Sequence, residues 1–346
     1  MTVVISALSD CKMTSTSENS NGTGSEPSIS RSVTMHFIGD WGQANFHRIC
    51  SWITQEFCDR AGPRSRVAIW NIRGGGFEAL QLVSDGEAQL CIATPAKLLS
   101  SAITGEGIFA GSGPMPNLRA LAVLPQRDRM MLAIHPKYDV HSFEDLRRVK
   151  PPLRIATSLN DGTNFIGYVA MRLMEAHGID EATLKEWGGS YILTTRPEQA
   201  IANMRSGQAD AVLQEAIMTP WWAELIKDQN LVPIPVEKEA LASLASEPGF
   251  EPASIRAGFW SSVPDETPTI DFSDFMVLVR DDLPDDIAYL LTWCLVETRK
   301  SIEIQYAHMP PERSPLTYPL DPSSMARSPI PLHTAARRFY EESGYI

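Results

Sequence analysis

The chain has 346 residues, 43% of them hydrophobic and 21% charged, with a net charge of −12. That length is too great for one ordinary core, so two domains are expected, and the balance is that of a globular protein. The negative charge argues against nucleic acid or an anionic membrane as the main partner, because both require a basic surface. No stretch approaches the ~18 consecutive apolar residues of a membrane-spanning helix.

The N-terminus offers no credible export signal. Residues 1–8 contain no Lys or Arg, their apolar run is interrupted by Ser6, and Asp10 ends it. A secretory signal needs a basic start, an apolar stretch of about 7–15 residues and a small-residue cleavage site. Residues 14–32 are rich in Ser, Thr, Asn, Gly and Glu without apolar periodicity, so residues 1–33 are expected to form a disordered leader. Cys11, Cys50, Cys58, Cys91 and Cys294 are odd in number and fit no zinc spacing, which predicts reduced thiols. The expected location is the cytoplasm.

From residue 34 onward, strand and helix patterns alternate, the mark of an α/β protein. Residues 34–38 read as a strand, followed by a glycine-containing loop and a helix carrying Phe46, Ile49, Ile53 and Phe57 at helical spacing. Residues 67–71 form a second strand, which Arg73-Gly74-Gly75-Gly76 joins to a helix with Phe77, Leu80 and Val83. Residues 89–93 are a buried strand, and 118–124 and 130–135 are further strands. Ser142 is positioned to cap a helix start, with Asp145 three residues on. A third strand-loop-helix unit runs through 153–157, 158–164 and 165–177, and Gly178 suits the helix stop. Residues 282–308 read as one long helical segment.

Residues 82–89 (LVSDGEAQ) echo residues 203–210 (NMRSGQAD). Each reads as a helix end, a glycine turn and a buried strand, which suggests two related halves.

The strand-to-helix loops at 39–46 and 157–165 carry the most functional information. Unpaired amides and the helix dipole favour an anionic group at such ends. Ligands of open α/β sheets lie outside the carboxyl ends of the strands, so both loops are expected to face one crevice. The candidate ligand-binding residues are Asp40, Trp41, Gly42 and Asn45 in the first loop, and Ser158, Asn160, Asp161, Gly162 and Thr163 in the other. Arg73, Gly75, Gly76, Thr94 and Glu215 complete the set. The arginine is suited to fork onto a carboxylate, and equally to lie at the surface beside a flexible turn. Glu215 reads either as a ligand contact or proton donor, or as a cap for the helix that follows. Trp221 and Trp222 read as core rather than pocket wall.

No nucleophile elbow, zinc-protease, Walker or kinase signature is present, and the triple glycine lacks dinucleotide-binding spacing. His47 and Cys50 lie three apart on one helix, but the surrounding apolar stripe makes Cys50 a core residue. No metal and no cofactor is called for.

The C-terminal run Pro331-Leu332-His333-Thr334-Ala335-Ala336-Arg337-Arg338-Phe339-Tyr340-Glu341-Glu342-Ser343-Gly344 resembles P-L-H-x-G-A-x-R-Y-Y-x-E-x-G, the closing segment of the TAXI solute receptors of TRAP transporters. Residues 84–88, 104–107, 142–146, 162–163 and 206–211 fall where that family has similar residues, so the resemblance covers about 33–346. It implies a type II periplasmic-binding-protein clamshell with the ligand trapped between its lobes. Residues 34–130 plus 270–346 would form lobe one, and 131–269 lobe two.

The departures fall on the ligand-facing loops. Asp40 and Trp41 stand in a loop that is glycine-rich in the family. Gly75-Gly76-Phe77-Glu78-Ala79 replaces G-S-x-x-N, and Asp161-Gly162-Thr163 replaces S-G-T. Ala335 takes the place of a glycine, a change read as structural. Two acids are gained and two neutral donors lost, so ligand identity is not carried over from the family.

The expected function is binding of a small polar, carboxylate-bearing solute in the interlobe cleft. The alternative is a cytosolic lyase, decarboxylase, dehydratase or isomerase on the same fold, with Asp40, Asp161 or Glu215 moving protons. The expected partner is a small molecule, with neither nucleic acid nor membrane insertion. Without an export signal, TRAP membrane subunits are not expected to engage the chain.

Overall fold

A computed structural model describes residues 26–39, 45–72 and 76–346. Its strands are β1 (Thr34–Gly39), β2 (Arg66–Asn71), β3 (Leu90–Ala93), β4 (Leu118–Leu124), β5 (Arg129–Ile134), β6 (Arg154–Ser158), β7 (Ser190–Thr194), β8 (Ala211–Gln214), β9 (Val232–Ile234), β10 (Pro252–Ile255), β11 (Thr267–Asp271) and β12 (Phe275–Arg280). They form two sheets, with helices packed around them. One has the order β2-β1-β3-β12-β4; the other runs β10-β11-β5-β8-β6-β7, with β9 paired to β5. Within the first, β1 is parallel to β2 and β3, and β12 runs antiparallel to β3 and β4. The result is a two-lobed α/β architecture.

Local sequence accounts for most elements. Helix Asn45–Asp59 buries Phe46, Ile49, Cys50, Trp52, Ile53 and Phe57 along one stripe. Helix Phe143–Val149 begins at Ser142, whose hydroxyl accepts from the Asp145 amide at 3.0 Å. Helix Phe165–Ala176 is capped by Asn164, whose Oδ1 accepts from the amides of Ile166 and Gly167 at 3.0 and 3.2 Å.

The internal echo is realised as one helix-end motif used twice. The amides of Glu87 and Ala88 both donate to Leu82 O, and those of Gln208 and Ala209 both donate to Asn203 O. Gly86 and Gly207 supply the left-handed turn at matching positions, with φ of 82° and 74°. These turns deliver the chain into β3 and β8.

Two expectations differ from what is observed. Residues 282–308 form two helices, Asp285–Glu297 and Arg299–Tyr306, rather than one. At the break, the Thr298 hydroxyl donates to Cys294 O at 2.7 Å, a local bond that competes with continued helix. The leader expected to be disordered over 1–33 is ordered in its last part. Ile29 and Val33 are buried, and the Ile29 amide donates to Arg60 O at 2.8 Å. Two apolar side chains in that polar stretch suffice to anchor it.

Two short crossings link the sheets: residues 125–128 between β4 and β5, and 272–274 between β11 and β12. They are laced together. The Gln126 amide donates to Asp274 Oδ1 at 3.2 Å, and the Phe272 amide donates to Asp128 O at 3.2 Å. The Thr94 hydroxyl, at the end of β3, donates to Asp274 O at 3.0 Å.

The lobes also meet away from these crossings. Gly76 forms an antiparallel bridge with Asn164, and the Phe77 amide donates to Thr163 O at 3.3 Å. Phe109 packs between Phe77 and Phe165, with ring centroids 5.3 and 5.7 Å away. On the other side Arg313 donates to Phe259 O and stacks 4.5 Å over the Phe259 ring. One continuous buried core therefore includes Ile38 and Cys91 from the first sheet and Ile155 and Leu213 from the second.

Candidate functional site

A cavity of about 340 Å³ opens between the lobes. Ile38, Phe46 and Ile92 line it from the first lobe, and Phe165, Ile166 and Ala216 from the second. The crossings contribute Gln126, Asp128 and Phe272, and the C-terminal segment contributes His308, Met309 and Pro315. Mostly apolar walls with a few placed polar groups are the usual make-up of a small-molecule site.

Glu215 and Asp128 are the most distinctive of those polar groups. Glu215 follows β8, and Asp128 ends the first crossing; they are 8% and 3% exposed. Asp128 Oδ1 accepts from the amides of Arg129 and Ile217, at 2.8 and 2.9 Å. Ala216 lies between Glu215 and Ile217 at φ 65°, a left-handed turn that brings the Ile217 amide round to Asp128. Asp128 and Glu215 line the same cavity, with Glu215 beside the turn that carries the Ile217 amide to Asp128.

Burial pushes Asp128 up to about 6, against the opposing pull of the Glu215 hydrogen bond, the two amides and the Arg129 charge. Arg129 does not reach the Asp128 carboxylate as an ion-pair partner. Its Nη1 donates to Asp271 Oδ1 at 2.9 Å and to Asp128 O, and its Nε donates to Ser254 O at 3.3 Å.

The rest of the polar lining ranges from buried Gln126 to exposed Arg48. Asn45 Nδ2 donates to Pro315 O at 3.0 Å, and Asn45 Oδ1 accepts from Tyr306. The Arg48 guanidinium stands 5.2 Å from the Tyr306 ring centroid and makes no ion pair among the described residues. Gln126 Nε2 donates to Thr94 Oγ1 at 3.1 Å.

The structure brings four of the sequence candidates together: Asn45, Gly76, Thr94 and Glu215 all line the cavity. Asp40, Trp41, Gly42, Arg73 and Gly75 lie outside the described residues. The candidates at 158–163 do not line it. Ser158 is fully buried and accepts from Gln214 Nε2 at 2.9 Å. Asn160 and Gly162 are exposed. Asp161 accepts from the amide and hydroxyl of Thr163, at 3.0 and 2.7 Å, in a local turn on the surface. The helix amides expected to await an anion there are already taken by Asn164.

Sequence reasoning missed Asp128. It sits in the charged connector Gln126-Arg127-Asp128-Arg129 between two apolar strands, and that abrupt break was the available signal. The paired tryptophans separate in role. Trp222 is fully buried and donates to Glu215 O at 2.7 Å, whereas Trp221 is 41% exposed and lines the cavity. Cys50 is fully buried, its Sγ directed to Ile38 O, so it is a core residue. The four described cysteines form no disulfide. Among the described residues no cluster of His, Cys, Asp and Glu is arranged to hold a metal, and no helix is long and apolar enough to cross a membrane.

The architecture is shared with solved binding proteins. MatC from Rhodopseudomonas palustris with bound malate aligns at a TM-score of 0.51 and 12% identity, over 91% of this chain and 97% of that one. The periplasmic binding protein BugD aligns at 0.51 and 12% identity, over 90% and 94%. A periplasmic transporter structure aligns at 0.50 and 13% identity, over 91% and 95%. At such low identity the likeness establishes the fold, that of type II periplasmic binding proteins. Residues 49–344 match the NMT1-like family, a span that takes in every strand except β1 and every cavity-lining residue except Ile38, Asn45, Phe46 and Arg48, and the chain is a member of that family.

Proposed function

We propose that this protein is a solute receptor of the TAXI type, which holds a small carboxylate-bearing organic molecule in the cavity between its lobes. The observation that carries the reading is the cavity itself: apolar walls drawn from both lobes, at the crossings about which the lobes would hinge. Arg48, on helix Asn45–Asp59, is the cation available to a carboxylate, since no described residue neutralises it. The malate bound to MatC, a protein of the same fold, agrees with that ligand class. The C-terminal run supports the TAXI assignment. His333 caps helix Thr334–Glu342 by accepting from the Ala335 amide at 3.2 Å, and Ala335 and Tyr340 are fully buried.

Native mass spectrometry of the purified chain tests the reading. One small molecule per chain, released unchanged on denaturation, is the expected result, and conversion of that molecule during incubation would instead favour an enzyme. Replacing Arg48 by Gln should weaken binding of a carboxylate ligand about tenfold, as expected for loss of a charged hydrogen bond. Unchanged affinity would remove Arg48 from the site.

A further inference from the structure

We infer that the molecule held in this cavity is a monocarboxylate with an aromatic body, whose ring lies against the open face of Trp221. The inference rests on the solute-binding reading and deepens it by naming the class of molecule. Five phenylalanine and tryptophan rings of the described residues line the cavity. Phe46 and Phe275 come from the first lobe, Phe272 from the second crossing, and Phe165 and Trp221 from the second lobe.

Four of these rings are held in place. Phe46, Phe165, Phe272 and Phe275 are each no more than 9% exposed. Phe46 and Phe275 meet edge-on, with centroids 4.8 Å apart and planes at 81°. Phe165 is backed by Phe109 at 5.7 Å and by the main chain at Gly76, where a Cβ would stand 2.5 Å from the ring. The amide of Phe272 is tied to Asp128 O.

Trp221 differs from all four. It is 41% exposed and forms no ring pair and no cation–ring contact among the described residues. Its neighbour Trp222 stacks on Trp260 at 5.7 Å and donates to Glu215 O. A large ring left open beside an apolar cavity, among walls already fixed by their own packing, is a preformed surface for a flat apolar partner.

The walls define the rest of the molecule. A ligand with several hydroxyl or carboxylate groups would give up water against side chains that return no hydrogen bond. One carboxylate is met by Arg48, and the remaining body is matched by carbon. Offset and edge-on contacts between rings favour an aromatic body over a saturated one of the same shape. Because the rings come from both lobes, such a ligand has its highest affinity for the closed arrangement.

Titration calorimetry of the full chain with phenylacetate, cyclohexylacetate and malate provides the test. Cyclohexylacetate is the more apolar of the two ring acids, so burial alone would favour it. We expect phenylacetate to bind at least about threefold more tightly than cyclohexylacetate, and about tenfold more tightly than malate. In Trp221→Leu the ratio of phenylacetate to cyclohexylacetate affinity should fall to about one, and an unchanged ratio would remove the ring contact with Trp221. The comparison of the three probes on the unmodified protein requires no variant to fold. A preference below about threefold against either competitor would overturn the aromatic assignment and leave the solute-binding reading standing. No saturable binding of any probe would overturn both.

Discussion

Asp274 offers a quantitative test of how the crossings are stabilised. It lies in the second crossing, outside the lining of the interlobe cavity, and its Oδ1 accepts from the Gln126 amide. Burial raises it from 3.8 to about 6, with Asp271 and Glu251 adding to the effect and the Gln126 amide and Arg129 opposing it. A carboxyl group raised in the folded state favours folding when protonated. Its contribution is therefore complete below pH 3.8 and is lost as pH rises through about 6.

The gap between those values sets a ceiling of ~3 kcal/mol. Because the group is only partly buried, solvent screening reduces this to about 1.5 kcal/mol. Asn keeps the acceptor for Gln126, removes the charge, and tolerates the left-handed φ of 65° found here. Asp274→Asn should therefore raise the melting temperature by about 2 °C at pH 8, given an unfolding entropy of roughly 0.7 kcal/mol/K for a chain of this size. At pH 4 the gain should nearly vanish. The assay is differential scanning calorimetry of both proteins across that range. An equal shift at both pH values, or a loss of stability at pH 8, would refute the assignment.

Three further predictions concern closure and packing. At Gly76, φ is 108° and a Cβ would stand 2.5 Å from the Phe165 ring, so Gly76→Ala should disfavour the closed arrangement; small-angle scattering should show a larger radius of gyration and ligand affinity should fall. Gly167→Ala would place a Cβ 1.7 Å from Leu159 O, a backbone atom that cannot retreat cheaply, so this variant should lose its cooperative melting transition. Asn164→Ala removes the acceptor for two helix amides and should cost about 1 kcal/mol in denaturant unfolding, whereas Asn164→Asp should retain most of the stability.

Much of the scaffold was legible because its signals are local. The stripe Phe46, Ile49, Ile53, Phe57 declared a helix, and the serine at 142 declared a helix start. The echo between 82–89 and 203–210 anticipated two helix ends with the same hydrogen bonds. Of the candidate site, Asn45, Gly76, Thr94 and Glu215 were reached by reasoning that ligands gather at the carboxyl ends of strands. The same reasoning also proposed 158–163, where Asn164 occupies the helix amides itself.

What tertiary structure alone decided is the chemistry of the cavity. Asp128 and Ile217 are 89 positions apart, and neither periodicity nor composition links a connector aspartate to a glutamate beyond a distant strand. The division between Trp221 and Trp222 likewise depends on which side of a helix faces the opposite lobe. Local pattern determines elements because helix and strand geometry repeat within a few residues. Asp128 and Glu215 line one cavity because the first crossing and the end of β8 meet in space, where the Ile217 amide donates to Asp128.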